Sequence, residues 1–199
     1  MIRLPPHAPG MRIGIFGGSF DPPHEGHRHV SQIALQRLRL DRLWWLATPG
    51  NPLKRTAGLP SLEQRIAAAR KIACDPRIVV TGVEAEIGAR YTADTLRFLH
   101  RRCSNVRFVW IMGADNLLQF HHWRDWEEIA RTTPIAIVDR PGATLRAGSA
   151  KAAQHFWRAR LPESAAPLLA EARPPAFVYL HAPRVAQSST ALRSAAGRA

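Results

Sequence analysis

The sequence predicts an α/β protein built on a single doubly wound parallel sheet, and three observations predict it. Strand-like and helix-like segments alternate along almost the whole chain, the pattern that gives a parallel sheet with helices on both faces. Leu43–Ala47 reads as a strand buried on both sides, from Trp44, Trp45 and Leu46, and Val106–Met112 is the most apolar segment of all. A run of glycines and histidines follows the first strand directly, at the strand end where open parallel sheets place their ligands. The 199 residues, 46% of them hydrophobic, suffice for one sizeable core.

Each element follows from local pattern. Arg12–Phe16 is the first strand, Gly26–Arg39 its helix and Leu43–Ala47 the second strand. Ser61 caps a helix running to about Ala73, with Ser61 and Gln64 at capping-box spacing. Ile78–Thr81 is the third strand and Ala93–Arg102 is helical. Val106–Met112 is the fourth strand, and two short helices follow near Asn116–Phe120 and Asp125–Arg131. Ile135–Val138 is a strand, Ala150–Arg158 a helix, Phe177–Leu180 the last strand and Ser189–Ala196 the last helix. Residues 141–150 and 162–175 read as loops. Residues 1–10 are proline-rich and read as a flexible extension before one domain over residues 11–199, with no internal repeat and no second domain.

Composition narrows the function. Twenty-eight Lys and Arg against 15 Asp and Glu give a formal net charge of +13. The arginines are scattered through nearly every helix and loop, and Lys54, Lys71 and Lys151 are the chain's lysines. Without a dense basic run, nucleic-acid binding is not the expected role. No apolar stretch approaches the ~18 residues of a membrane span. The first ten residues lack the apolar core of a secretory signal. Cys74 and Cys103 stand apart with no CxxC, and read as reduced thiols of a cytoplasmic protein. Oligomeric state stays open, and a homo-oligomer is compatible with the sequence.

Gly17-Gly18-Ser19-Phe20-Asp21-Pro22-Pro23-His24-Glu25-Gly26-His27 carries the chemistry. Glycines at a strand end let a phosphate approach the backbone with no Cβ in the way. His24 and His27, three apart, fall on one face of the first helical turn, at the positive end of the helix dipole. Amide donors, two imidazoles and that field suit a polyphosphate. Taken singly, a glycine pair after a strand is a tight turn, and His-x-x-His is a surface pair or half of a metal site. A zinc site wants further ligands at close spacing, which no Cys or carboxylate cluster supplies, so no metal ligands are assigned. The run is neither GxGxxG nor GxxxxGK[ST], which disfavours dehydrogenase and P-loop readings. Near the C-terminus, Ser188-Ser189-Thr190-Ala191-Leu192-Arg193 sets hydroxyls at a helix start and an arginine one turn on. Alone this is an N-cap with a solvated arginine; beside the first run it reads as a second phosphate grip.

The first run resembles the HxGH (or TxGH) signature of a nucleotidyltransferase superfamily. The C-terminal one resembles that superfamily's SSTxIR, with Leu192 in place of isoleucine and Gln187 where an apolar residue is commoner. Two further segments resemble bacterial nicotinate mononucleotide adenylyltransferases in particular. Tyr91-Thr92-Ala93-Asp94-Thr95-Leu96 is similar to their YTxDTL, and Gly113-Ala114-Asp115 followed by Trp123 to their GAD…W. Residues 48–54 resemble a loop that usually reads PPHK, with Asn51 and Leu53 replacing the first proline and the histidine and Lys54 kept. Val138-Asp139-Arg140-Pro141-Gly142 resembles the family's strand-end RPG. The resemblance runs from about residue 11 to residue 196.

It implies a Rossmann-like nucleotidyltransferase fold and the transfer of AMP from ATP to nicotinate mononucleotide, giving nicotinate adenine dinucleotide and pyrophosphate in NAD biosynthesis. It implies a catalytic set of His24, His27, Lys54 and Arg193 that holds phosphates and neutralises charge. Gly17, Gly18, Ser19, Phe20, Asp115, Arg140, Ser189 and Thr190 would bind ATP, with Asp115 on a ribose hydroxyl. Backbone amides near Tyr91 and Thr92 would take the pyridine carboxylate, and Trp123 would stack on the ring. Mg2+ would enter bound to ATP. From the residues alone, Trp123 is also a candidate for the core, and Asp115 and Thr92 are candidates for helix caps. Asp94 and Thr95 read as structural. His121 and His122, adjacent and pointing apart on a helix, receive no role. Two rivals remain: a sibling adenylyltransferase for phosphopantetheine or nicotinamide mononucleotide, and a non-catalytic nucleotide- or RNA-binding protein.

Overall fold

The computed structural model describes residues 2–50, 59–139 and 147–181. The chain leaves its first strand, β1 (Arg12–Gly18), through a turn into α1 (Glu25–Arg37) and returns along β2 (Arg42–Ala47). α2 (Leu62–Ile72) and β3 (Ile78–Thr81) follow, then a one-turn helix α3 (Val83–Glu86) and α4 (Thr92–Arg102). β4 (Arg107–Gly113) runs into α5 (Ala114–Gln119), a 3-10 turn at Phe120–His122 and α6 (Trp126–Thr132). β5 (Ile135–Val138), α7 (Lys151–His155), 3-10 segments at Trp157–Ala159 and Glu163–Glu171, and β6 (Phe177–Leu180) complete the described elements. Among the described residues all strands pair parallel in the order β3-β2-β1-β4-β5-β6. The order reverses between β1 and β4, which opens a crevice at the C-terminal ends of those two strands.

Period-2 alternation divides the core. On one face Ile13, Ile15, Trp44, Phe108, Trp110, Met112, Ile135 and Ile137 pack against α4, α5, α6 and α7. On the other Phe16, Trp45, Val109, Ile111, Ala136, Val138 and Val178 pack against α1, α2 and the 163–171 segment. Adjacent Trp44 and Trp45 therefore serve opposite layers, and both are fully buried. Among the described residues no helix is long and apolar enough to cross a membrane.

The structure departs from the local reading in four places. α3 was not anticipated, because four residues carry too little periodicity. Residues 163–171, expected as part of a loop on account of their prolines, form a 3-10 run that buries Ala166, Leu169 and Ala170 on the sheet. The helix expected over Ala150–Arg158 is α7 plus a 3-10 turn, divided at Phe156. The first ten residues, read as flexible, carry contacts to the domain. His7 packs edge-on against Trp44 and sits 3.4 Å from Cys103 Sγ, and the Gly10 amide donates to Asn105 O at 2.7 Å. The expected helix Ser189–Ala196 lies outside the described residues.

At the end of β1 a neighbouring side chain fills the space that a Cβ would need. A Cβ on Gly17 would stand 2.8 Å from Trp110 Cη2, on a fully packed indole that has no room to move. Gly17→Ala is expected to destabilise the fold by about 1–3 kcal/mol, the usual range for overpacking, seen as a lowered thermal midpoint. An unchanged midpoint would show that the indole yields.

Candidate active site

Gly17 and Gly18 end the strand beside the crevice. At Gly17 the Trp110 ring occupies the space of a Cβ, so packing by itself calls for glycine there. At Gly18 a Cβ would meet the Phe20 ring at an ordinary 3.5 Å. The turn that follows is strained: Phe20 has φ +48°, in the left-handed region that bulky residues avoid. Burial holds it there. The Phe20 ring is 1% exposed and stacks on Trp45 with centroids 4.9 Å apart and planes 9° apart. Its side chain is thus an anchor, and only its backbone faces the role expected for it.

His24 and His27 lie side by side, as their spacing predicts, but they are buried and His24 stands just ahead of the helix. α1 starts at Glu25, and His24 is its N-cap. The Gly26 amide donates to His24 Nδ1 at 3.0 Å, while the His24 amide donates to His27 Nδ1 at 3.2 Å. This is a capping box built from two imidazoles in place of Ser/Thr and Glu/Gln. Both rings are buried, at 4% and 9% exposure, with centroids 3.9 Å apart. Because each Nδ1 accepts, the neutral form of each ring carries its proton on Nε2. A further pair of bonds fixes the helix start: Ser31 Oγ donates to His27 O at 2.8 Å and accepts from Trp45 Nε1 at 2.8 Å.

Two buried polar residues that the sequence reading passed over surround this turn. Arg65 on α2, 2% exposed, donates from Nη1 to Ser19 O (2.7 Å) and Thr48 O (2.8 Å), and from Nε to Pro60 O (3.0 Å). Glu84 on α3, 7% exposed, accepts from Thr95 Oγ1 at 3.0 Å and contacts the Thr48 side chain. Burial pushes the Glu84 carboxyl up to about 7, against the pull of those two hydrogen bonds. Thr48 Oγ1 also donates to Gly50 O at 3.1 Å. Both residues are ordinary in the sequence. A charged residue on the apolar stripe of a predicted helix is the one signal that marks Arg65.

Across the crevice, Tyr91 is the N-cap of α4 and supplies no side-chain cap, so the first amides of that helix have no intrahelical partner. Thr92 is the first helical residue, not the cap. Arg124 lies over the Tyr91 ring at 4.8 Å, which brings the segment after α5 beside α4. Arg97 ties the same two regions through Asp94, Asp125 and Glu128. Trp123 is half-buried and meets Trp110 and Phe120 edge-on, with centroids 6.0 and 5.4 Å away, so it belongs in part to the core. Asp115 is exposed and is the second residue of α5; Gly113 holds the N-cap position, which corrects the capping expectation. His121 and His122 sit on a 3-10 turn with rings 3.9 Å apart rather than pointing apart. Lys54, Arg140, Ser189, Thr190 and Arg193 lie outside the described residues. Among the described residues no group of three His, Cys, Asp or Glu could cage a metal ion.

A cytidylyltransferase-like family model matches residues 15–195. A relative from Methylorubrum extorquens, named "Probable nicotinate-nucleotide adenylyltransferase", is 61% identical and covers 92% of this chain and 100% of its own. A Bradyrhizobium protein of the same name is 57% identical over 94% of this chain and 97% of its own. The Plasmodium falciparum nicotinic acid mononucleotide adenylyltransferase complexed with NaAD has the same fold, with a TM-score of 0.66 at 18% identity. It covers 92% of this chain and 83% of its own.

Glu84 gives the stability a sign with pH. The folded state keeps its proton between the ordinary value of 4.5 and about 7, where the unfolded chain has lost it. Its contribution is therefore complete below about 4.5, falls as pH rises to 7 and is level above. Relative to Glu84→Gln, the wild-type protein should lose stability across that window on the order of 1 kcal/mol per pH unit. Thermal midpoints of both proteins at pH 5 and pH 8 check this, and parallel curves would place the carboxyl's titration elsewhere.

Proposed function

We propose, from the premise that this chain belongs to the cytidylyltransferase-like family and within it to the nicotinate-nucleotide adenylyltransferases, that it transfers AMP from ATP to nicotinate mononucleotide. The products are nicotinate adenine dinucleotide and pyrophosphate, in NAD biosynthesis. The observation that carries the reading is the imidazole capping box at the start of α1, which follows β1 at the switch point of the sheet.

The chemistry asks for little covalent help. The mononucleotide phosphate is already ionised and attacks the α-phosphorus of ATP in line. The bond from that phosphorus to the bridging oxygen breaks, and pyrophosphate leaves with the electron pair. No general base and no covalent intermediate are needed, so catalysis is positioning and charge neutralisation. With Nδ1 engaged by the cap, His24 and His27 would each offer Nε2–H to phosphate oxygens, pre-oriented by the backbone they cap. Gly17, Gly18, Ser19 and the Phe20 backbone would line the nucleotide, and Asp115 would accept from a ribose hydroxyl. Lys54, Arg140, Ser189, Thr190 and Arg193 would complete the phosphate site. Mg2+ would enter with the ATP substrate, held mainly by phosphates and water. As an enzyme of free nucleotides, the protein is assigned to the cytoplasm.

The first amides of α4, at Thr92 and Ala93, have no intrahelical acceptor and lie at the positive dipole end, which suits a carboxylate on the pyridine ring, and Trp123 would stack beside it. An amide there would set its NH2 against those donors. Pyrophosphate release with ATP and a panel of mononucleotides should show higher kcat/KM for nicotinate than for nicotinamide mononucleotide. The reverse preference would overturn the assignment.

The double duty of His24 makes a sharper experiment. His24→Ala should lower kcat by about 10²–10³-fold and also cost about 1 kcal/mol of stability through the lost cap. His24→Asn restores a cap acceptor without an imidazole. It should recover the thermal midpoint and leave kcat low. Activity returning with the cap would mean that the ring is structural only.

A further inference from the structure

Arg65 poses a question that its helix does not answer. A guanidinium at 2% exposure is desolvated, and burial lowers its pKa while the fields of Asp21 and Glu63 raise it. A buried cation is costly unless it is well paired. Among the described residues its hydrogen-bond partners are all main-chain carbonyls, from three separate segments. Ser19 lies in the turn after β1, Thr48 follows β2, and Pro60 precedes α2. Helix stability alone calls for none of these bonds. The α2 start already has its own capping box, Ser61 with Gln64.

Two of the three carbonyls, Ser19 O and Thr48 O, stand just beyond the ends of β1 and β2. Ser19 precedes Phe20, the residue at φ +48°, and its carbonyl orientation fixes the peptide that enters the strained turn leading to His24. Thr48 is linked to the same turn by its amide, which donates to Gly18 O at 3.1 Å. Its hydroxyl reaches the Glu84–Thr95 pair, which sits at the first turn of α4. One guanidinium therefore pins the phosphate-side turn to the end of β2, which is in contact with the mononucleotide-side helix. The planar fork of arginine can serve carbonyls from several directions at once, which an ammonium group does less well. We infer that Arg65 is a positioning residue for nucleotidyl transfer, holding the glycine–histidine turn in register with the end of β2. It acts through Ser19 and Thr48 and touches neither substrate.

The inference rests on the nucleotidyl-transfer reading, and its test separates the two. Arg65→Lys keeps the charge and loses the fork. Ala69→Gly, on the same helix and fully buried, lowers stability without touching the turn. Steady-state pyrophosphate release, ATP binding by calorimetry and thermal midpoints are measured for both variants and the wild type. Arg65→Lys should weaken the ATP Kd by about 10-fold and lower kcat by about 10- to 100-fold, the scale of a small misplacement at the reacting centre. Its KM for nicotinate mononucleotide should stay within about twofold of wild type, because α4 keeps its own contacts. Ala69→Gly should lose midpoint with both kinetic constants kept. Wild-type ATP affinity and kcat in Arg65→Lys would overturn the role, and so would equal kinetic losses in Ala69→Gly at a matched midpoint. If Arg65→Lys does not fold, Arg65→Gln is judged by the same criteria. Wild-type protein that releases no pyrophosphate with nicotinate mononucleotide would sink the substrate reading alone; Arg65 is then judged on ATP affinity.

Discussion

The site depends on the reciprocal hydrogen bonds between His24 and the start of α1. In most helices the N-cap is a small hydroxyl or amide residue whose task ends with the cap. Here two imidazoles do that work, each accepting at Nδ1. The consequence is orientation: the two rings cannot rotate without uncapping the helix. The tautomer is set by the same bonds, since an Nδ1 that accepts leaves the proton of a neutral ring on Nε2. Fold and chemistry are thus coupled at two residues, in a layer sealed by Phe16, Phe20 and Trp45.

Around that cap the structure accepts local unfavourable features, each balanced by packing. Phe20 adopts a left-handed backbone conformation, held by a ring stacked on Trp45. β1 gives up a side chain at Gly17 so that the Trp110 indole can cross beneath the strand end. That indole in turn meets Trp123 edge-on, so the end of β1 and the segment after α5 lean on the same aromatic group. Displacement on one side has a packing route to the other.

Thr48 provides a second, polar route. Its carbonyl meets Arg65, its amide meets Gly18 and its hydroxyl side meets Glu84. Buried polar groups of this kind are stable only when each is paired, and both charged residues here are paired through neutral groups: carbonyls for Arg65 and hydroxyls for Glu84. Desolvation favours the protonated carboxyl of Glu84 against the pull of its two hydroxyl partners, while Arg65 is engaged by carbonyls instead.

Much was legible in the sequence by itself. The parallel sheet, nearly every strand and the Ser61–Gln64 capping box followed from period, alternation and cap chemistry, which act over a few neighbouring residues. The run from Gly17 to His27 marked the strand end that lies at the switch point. Tertiary structure alone decided what those residues do for one another. It made Gly17 a packing glycine, turned Phe20 inward, recast the two histidines as a buried capping box and gave Gly113 the cap position expected of Asp115. It also brought Arg65 and Glu84 to Thr48, across 17 and 36 residues of chain. The reason is that burial and hydrogen-bond partnership at these positions come from residues distant in sequence, and a local pattern carries no record of which carbonyl a buried guanidinium will meet.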